Sequence, residues 1–201
     1  MLRYEHAVEF RRRPWQRRIE VYSPKLQRRL TLFSRELHDA WLLLEADSQV
    51  RSFCERPGYV AGEAGRLLDF WVDNGRHAKF WVLCSNETVP DAFPKRLHGI
   101  ALRLIRRVDM IAAAMRIRNW AQIVPYLTSF ARHSDRRLQE EIYARLNRPH
   151  RLGGLESAFN PIDVSVIRAA LFRLLAEGKV ASADLDTLPL GLNTIFKQVA
   201  A

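Results

Sequence analysis

The sequence predicts an α/β fold for the first half of the chain and a mostly helical second half that closes on a short β-hairpin. Three observations carry this. Asn74-Gly75 lies between two apolar, aromatic-rich runs, 67–72 and 78–84; Asn-Gly in that setting signals a hairpin, because a type I′ turn needs positive φ at both central residues. Ser34 precedes Leu37, Trp41, Leu42 and Leu44 at helix-face spacing, the pattern of a capped amphipathic helix. Further on, 161–177 sets Val164, Ile167, Leu171 and Leu174 on one side, with Gly178 as a stop.

The elements follow in chain order. Residues 1–29 carry Arg11, Arg12 and Arg13, then Arg17 and Arg18, then Arg28 and Arg29, with Trp15 and Tyr22 interleaved. This stretch reads either as a basic arm on phosphates or as an exposed edge strand. The Ser34 helix ends at Asp47-Ser48, and 50–54 reads as a short extended segment broken by Pro57-Gly58. After the hairpin, a second domain is expected over 94–201, the first being 1–93. Its pattern gives helices at 97–115, 120–132 and 138–146, a loop at 147–154, the 161–177 helix, and short strands at 179–183 and 188–195. Helices followed by a small β-hairpin is the winged-helix order, so the second domain reads as winged-helix-like and DNA- or partner-binding.

Composition narrows the function. The 201 residues carry a formal net charge of +10 and are 48% hydrophobic, so the chain can bury a core and its charge favours nucleic acid or an acidic partner. Arginine outweighs lysine, which suits phosphate because the guanidinium offers a planar fork of donors. No apolar run approaches the roughly 18 residues of a membrane span. The arginine-studded start lacks the apolar stretch of a secretory signal, while Glu5, Glu9 and Glu20 oppose an organelle-import sequence. Cys54 and Cys84 form no CxxC; the expectation is a cytoplasmic protein with reduced thiols and no membrane. No GxGxxG, Walker A, GxSxG or HExxH occurs.

One stretch resembles a known family. Ser34, Glu36, Leu42 to Leu44, Asp47, Val50 and Arg56-Pro57, with Ser23, Lys25 and Arg28-Arg29 leading in, are similar to the N-terminal domain of TnsA, the endonuclease subunit of heteromeric transposases. The likeness covers 23–70; Arg56 stands where the family has glutamine. It implies a restriction-endonuclease-like N-terminal domain in which a helix glutamate, a strand aspartate and a [Gln/Glu]-x-Lys on the next strand form the site. Two carboxylates there hold Mg²⁺, which polarises the phosphate and generates hydroxide; the lysine offsets developing charge. Carried over, Glu36 and Asp69 are the catalytic and metal-binding carboxylates. The family also implies DNA at transposon ends, an integrase-type transposase subunit and an ATPase regulator subunit as partners.

The third catalytic element is missing from 78–85. With Asn74-Gly75 as a two-residue turn, Asp73 pairs with Arg76 and Asp69 lies opposite Phe80, so Phe80, Val82 and Cys84 share its face. A bulge that shifts the register by one would bring Lys79, Trp81, Leu83 and Ser85 round instead, and Lys79 is then the candidate catalytic lysine. The nucleic-acid contacts expected are Arg11, Arg12, Arg13, Arg17, Arg18, Lys25, Arg28 and Arg29. Arg103, Arg106, Arg107, Arg116 and Arg118 either track phosphates or form the wet face of a helix. His38 and His77 read as surface, and Trp71, Phe80 and Trp81 as sheet core. Three functions compete: a DNA-binding TnsA-like subunit with a degenerate nuclease site, an active metal-dependent endonuclease cleaving the non-transferred strand, and a basic winged-helix regulator unrelated to transposition.

Overall fold

The computed structural model describes residues 4–9, 17–59, 67–84, 94–130 and 135–199. The chain forms two compact units, Met1–Leu44 with Gln49–Ala112, and Glu45–Ser48 with Ala113–Ala201.

The first unit is mixed α/β. It opens on a hairpin of β1 (Ile19–Ser23) and β2 (Arg28–Leu32), paired antiparallel from Ser23↔Arg28 to Ile19↔Leu32. Ser23 closes the turn by accepting the Leu26 amide on Oγ at 3.0 Å. Helix α1 (Arg35–Ala46) follows. Ser34 caps it as the sequence predicts, its Oγ accepting the Leu37 amide at 3.1 Å. Strands β3 (Ser52–Glu55), β4 (Phe70–Asp73), β5 (Ala78–Cys84), β6 (Arg96–Leu97) and β7 (Ile100–Arg106) then make one sheet in the order β3-β4-β5-β7-β6. Every neighbouring pair is antiparallel except β5 and β7, which run parallel. One face carries a core of Cys54, Leu68, Trp71, Phe80 and Val82, against which Tyr4, Ile100, Leu102 and Leu104 pack. Short α2 (Arg107–Ala112) ends the unit.

Two expectations change here. The helix expected over 97–115 is instead β6, β7, α2 and the start of the next helix. Leu, Arg, Ala and Met are strong helix formers, yet Ile100, Leu102 and Leu104 alternate onto the core while Arg103 stays exposed; pairing with β5 overrides local propensity. The added strands extend the first unit, so the chain divides after Ala112 instead of after residue 93.

The tight turn also lies elsewhere. At Asn74-Gly75 only Gly75 has positive φ (82°) and Asp73 pairs with Ala78, not Arg76. The loop is wider because its side chains serve its own amides: Asp73 accepts from Gly75 at 2.9 Å, and Asn74 from Arg76 and His77 at 3.0 and 2.8 Å. A two-residue turn with both central φ positive joins β6 to β7, at His98 (49°) and Gly99 (77°).

The second unit comprises α3 (Ala114–Ser129), α4 (Arg136–Arg145), β8 (His150–Arg151), α5 (Leu152–Ala158), α6 (Val164–Ala176), β9 (Val180–Ala181), α7 (Asp184–Thr187) and β10 (Ile195–Gln198). Its three short strands lie in the order β8-β10-β9, all antiparallel. The expected 161–177 helix begins later, at Val164, where Asp163 caps it by accepting the Ser165 amide at 2.7 Å. Helix α6 is the hub, packing against α3, α4, α5 and β9. Ile167, Ala169, Ala170, Leu171, Phe172 and Leu174 are buried along it. The strand expected over 188–195 is mostly irregular; β10 starts only at Ile195. Asn119 explains this, since its buried amide donates to the Leu185 and Leu188 carbonyls at 2.9 and 2.8 Å and accepts from the Leu190 amide at 2.8 Å. Those backbone groups are thereby satisfied outside a ladder.

Candidate active site

Asp69 lies one residue before β4. Its carbonyl accepts the Arg56 amide at 2.9 Å and its Oδ2 accepts the Leu83 amide at 2.7 Å. The β4–β5 ladder runs Asp73↔Ala78, Val72↔Lys79, Trp71↔Phe80 and Phe70↔Trp81. Extended by one step, it sets Asp69 opposite Val82, two residues from the Phe80 pairing that the sequence predicts. A shift of two preserves the face. Phe80, Val82 and Cys84 therefore stay on Asp69's side, with Phe80 and Val82 fully buried and Cys84 half-buried. Lys79 pairs with Val72 and projects, exposed, on the other side of the sheet.

Asp69 lines a pocket of about 190 Å³ together with Leu32, Phe33, Leu37, Glu55, Arg56 and Leu67. Glu36 is exposed in the first turn of α1 and is not among those lining residues. An acid at that position also suits the positive end of the helix dipole. Its neighbour Leu37 turns inward instead.

The pocket brings forward two residues the sequence reading left unused as site groups. Glu55, at the end of β3, is 3% exposed and receives a two-pronged bond from Arg28, Nη1 to Oε1 at 3.0 Å and Nη2 to Oε2 at 2.7 Å. That bond raises the Arg28 guanidinium above its ordinary pKa. Arg56 takes the left-handed backbone conformation (φ 47°), which costs a non-glycine residue roughly 1–2 kcal/mol. Its guanidinium donates to the Thr31 carbonyl and, at 3.3 Å, to that of Val8, and lies 5.1 Å from the centre of the Phe33 ring. Burial holds it below its ordinary pKa. The Cys54 thiol is pushed up to about 11, first by burial and then by Glu55, so it stays protonated and unreactive near neutrality. A signal for Glu55 existed: it is an acid ending a run of buried strand residues, Phe53 and Cys54, where an unpaired charge is costly.

Mg²⁺ needs several convergent oxygen donors. Among the described residues no group of three His, Cys, Asp or Glu side chains could hold a metal ion. Across the sheet from Asp69 stand an alkyl group and a thiol, and the cation already in its pocket is Arg56. These residues do not fit the ion.

The expected phosphate contacts divide three ways. Arg11, Arg12 and Arg13 lie outside the described residues. Lys25 donates to the Leu44 carbonyl at 2.7 Å near the end of α1, Arg28 is held by Glu55, and Arg18 pairs with Glu20. Arg17 and Arg29 are exposed. The start of the chain is no free arm over Tyr4 to Glu9, for the Tyr4 ring packs 5.8 Å from Trp71 and 5.4 Å from Phe80, and Val8 bonds to Arg56. His38 leans on Asp39 at 3.2 Å, and His77 is exposed. No helix among the described residues is long and apolar enough to cross a membrane.

No protein-family model matches the chain, and no curated protein sequence matches it.

Proposed function

We propose that the chain is a DNA-binding, TnsA-like subunit of a heteromeric transposase whose nuclease-fold centre is degenerate and which holds DNA and partner subunits without cutting. The observation that carries this reading is the engagement of Asp69. Its Oδ2 is bonded to the Leu83 amide, the ladder sets Val82 and Cys84 where a metal-binding residue and a lysine are needed, and Lys79 lies on the opposite face. The strand facing Asp69 thus offers neither a carboxylate nor a lysine, and the carboxylate and cation that share its pocket, Glu55 and Arg56, are already engaged by Arg28 and by the Thr31 and Val8 carbonyls.

The order of elements supports both halves of the fold reading. A helix, three antiparallel strands and a parallel strand beside them agree with a restriction-endonuclease-like core. In the second unit, the run α4-β8-α5-α6-β9-α7-β10, with strand order β8-β10-β9, agrees with a winged-helix-like unit in which the short α7 lies between the last two strands. There α6 takes the recognition-helix position in chain order, but its length is largely buried and its exposed Arg173 is paired with Glu177 at 3.2 Å. A helix that enters a major groove needs a free face, so the second unit is better suited to a protein partner, an integrase-type transposase or an ATPase regulator.

The test is a cleavage assay. The purified chain, with Mg²⁺ or Mn²⁺ and its own element-end duplex, should bind the DNA and leave both strands intact. Strand scission that Glu36→Ala and Asp69→Ala each abolish would overturn the degenerate-site reading and favour an active endonuclease.

A further inference from the structure

The two halves of one sheet face differ in charge. On the face opposite the Trp71 and Phe80 core, one row runs Phe53–Val72–Lys79–Ala101–Arg96 across β3, β4, β5, β7 and β6, and the next runs Glu55–Phe70–Trp81–Arg103. Phe53, Val72, Glu55, Phe70 and Trp81 are buried. Lys79, Arg96 and Arg103 are exposed. The only carboxylate in these two rows is Glu55, at the far edge and bonded to Arg28.

These three cations make no ion pair among the described residues. Arg35, Arg136, Arg137 and Arg173 each meet a carboxylate four residues along their helices. Three uncompensated positive charges on one small surface repel one another, and an external polyanion removes that cost. Arg103 is also ordered in advance, its guanidinium 5.2 Å from the centre of the Trp81 ring, which reduces the side-chain entropy lost on binding.

We propose that this half-face of β5, β7 and β6 is where a nucleic-acid backbone docks, with Lys79, Arg96 and Arg103 each on a phosphate. The inference rests on the DNA-binding reading above and gives it a location away from the Asp69 pocket. Spacing agrees: adjacent strands lie about 4.8 Å apart, so Lys79 and Arg96, two strands apart, are separated by roughly 10 Å. A nucleic-acid strand carries one charge per about 3.4 Å of axis, so long side chains at that spacing reach nearby phosphates of one strand. An acidic protein segment fits less well. A protein contact takes its strength from aromatic or aliphatic groups seated in pockets, and the one large aromatic here, Trp81, is 7% exposed. Only charge and guanidinium donors remain at the surface, which reads phosphates without base sequence.

The experiment is duplex binding by fluorescence anisotropy over a salt series, for the full chain and for Lys79→Ala, Arg96→Ala, Arg103→Ala and the triple variant. Each single change should lower the slope of log affinity against log salt by about 0.9 and weaken binding alike on unrelated sequences. Arg136→Ala, on the second unit, should leave the slope unchanged. Circular dichroism of the triple variant should match the parent, since all three side chains are exposed. A triple variant that binds DNA with the parent's affinity and slope overturns the location and leaves the DNA-binding reading standing. If that variant also loses an acidic protein partner, the face is a protein contact. A parent chain that fails to bind duplex at low salt overturns both.

Discussion

The two units fix their irregular segments with opposite chemistry. In the first, the end of β3 is surrounded by charge: Glu55 buried against Arg28, Arg56 held by two carbonyls and a ring, and a Cys54 thiol whose pKa is raised. In the second, one neutral side chain, Asn119, makes three hydrogen bonds to the segment between α7 and β10. A neutral amide keeps its bonds at any pH and salt, whereas an ionic cluster depends on protonation state. The cluster at the end of β3 should therefore respond to solution conditions and the Asn119 clamp should not.

Breaking the neutral clamp is the larger effect. Asn119→Ala leaves two carbonyls and an amide without their partner, an expected loss of about 3 kcal/mol; denaturant unfolding followed at Trp120 should show the same loss at low and high salt. Next comes Glu55→Gln. Removing one member of a buried pair costs about 3–5 kcal/mol, but Arg28 is one-third exposed, so the expected loss is about 2 kcal/mol after solvent screening. A double-mutant cycle with Arg28→Ala should return most of it as coupling energy; a coupling near zero would erase the contrast between the units. The smallest effect is at Cys54. Its folded pKa, about 11, exceeds the ordinary 9.0, so its contribution is complete below pH 9 and is lost as pH rises through 11. Cys54→Ala should flatten the alkaline limb of the stability profile over that window.

Much of the first unit was legible because its signals are local. Ser34 caps α1, Trp71 and Phe80 fill the sheet core, and the face shared by Asp69, Phe80, Val82 and Cys84 survives even though the turn is wider than expected. The pocket was not legible. It depends on Arg28, Glu55 and Arg56 meeting from different elements, and nothing in the spacing of those residues announces a 27-residue bridge. The 97–115 segment misled for a related reason. Its composition favours helix, and only the distant partner β5 makes a strand of 100–106. The His98-Gly99 turn lacks the Asn-Gly signature that drew attention to 74–75, where the short polar side chains closed a different loop.

The parallel pairing of β5 with β7 sets an order of assembly. Strands β3, β4 and β5 are successive antiparallel neighbours and can associate while later residues are still being synthesised. β7 cannot join until the chain beyond β5 has been made. The row from Lys79 to Arg96 thus spans an early half and a late half. A nascent chain carries Lys79 alone on its sheet edge, and the full set of cations gathers only once the sheet is closed.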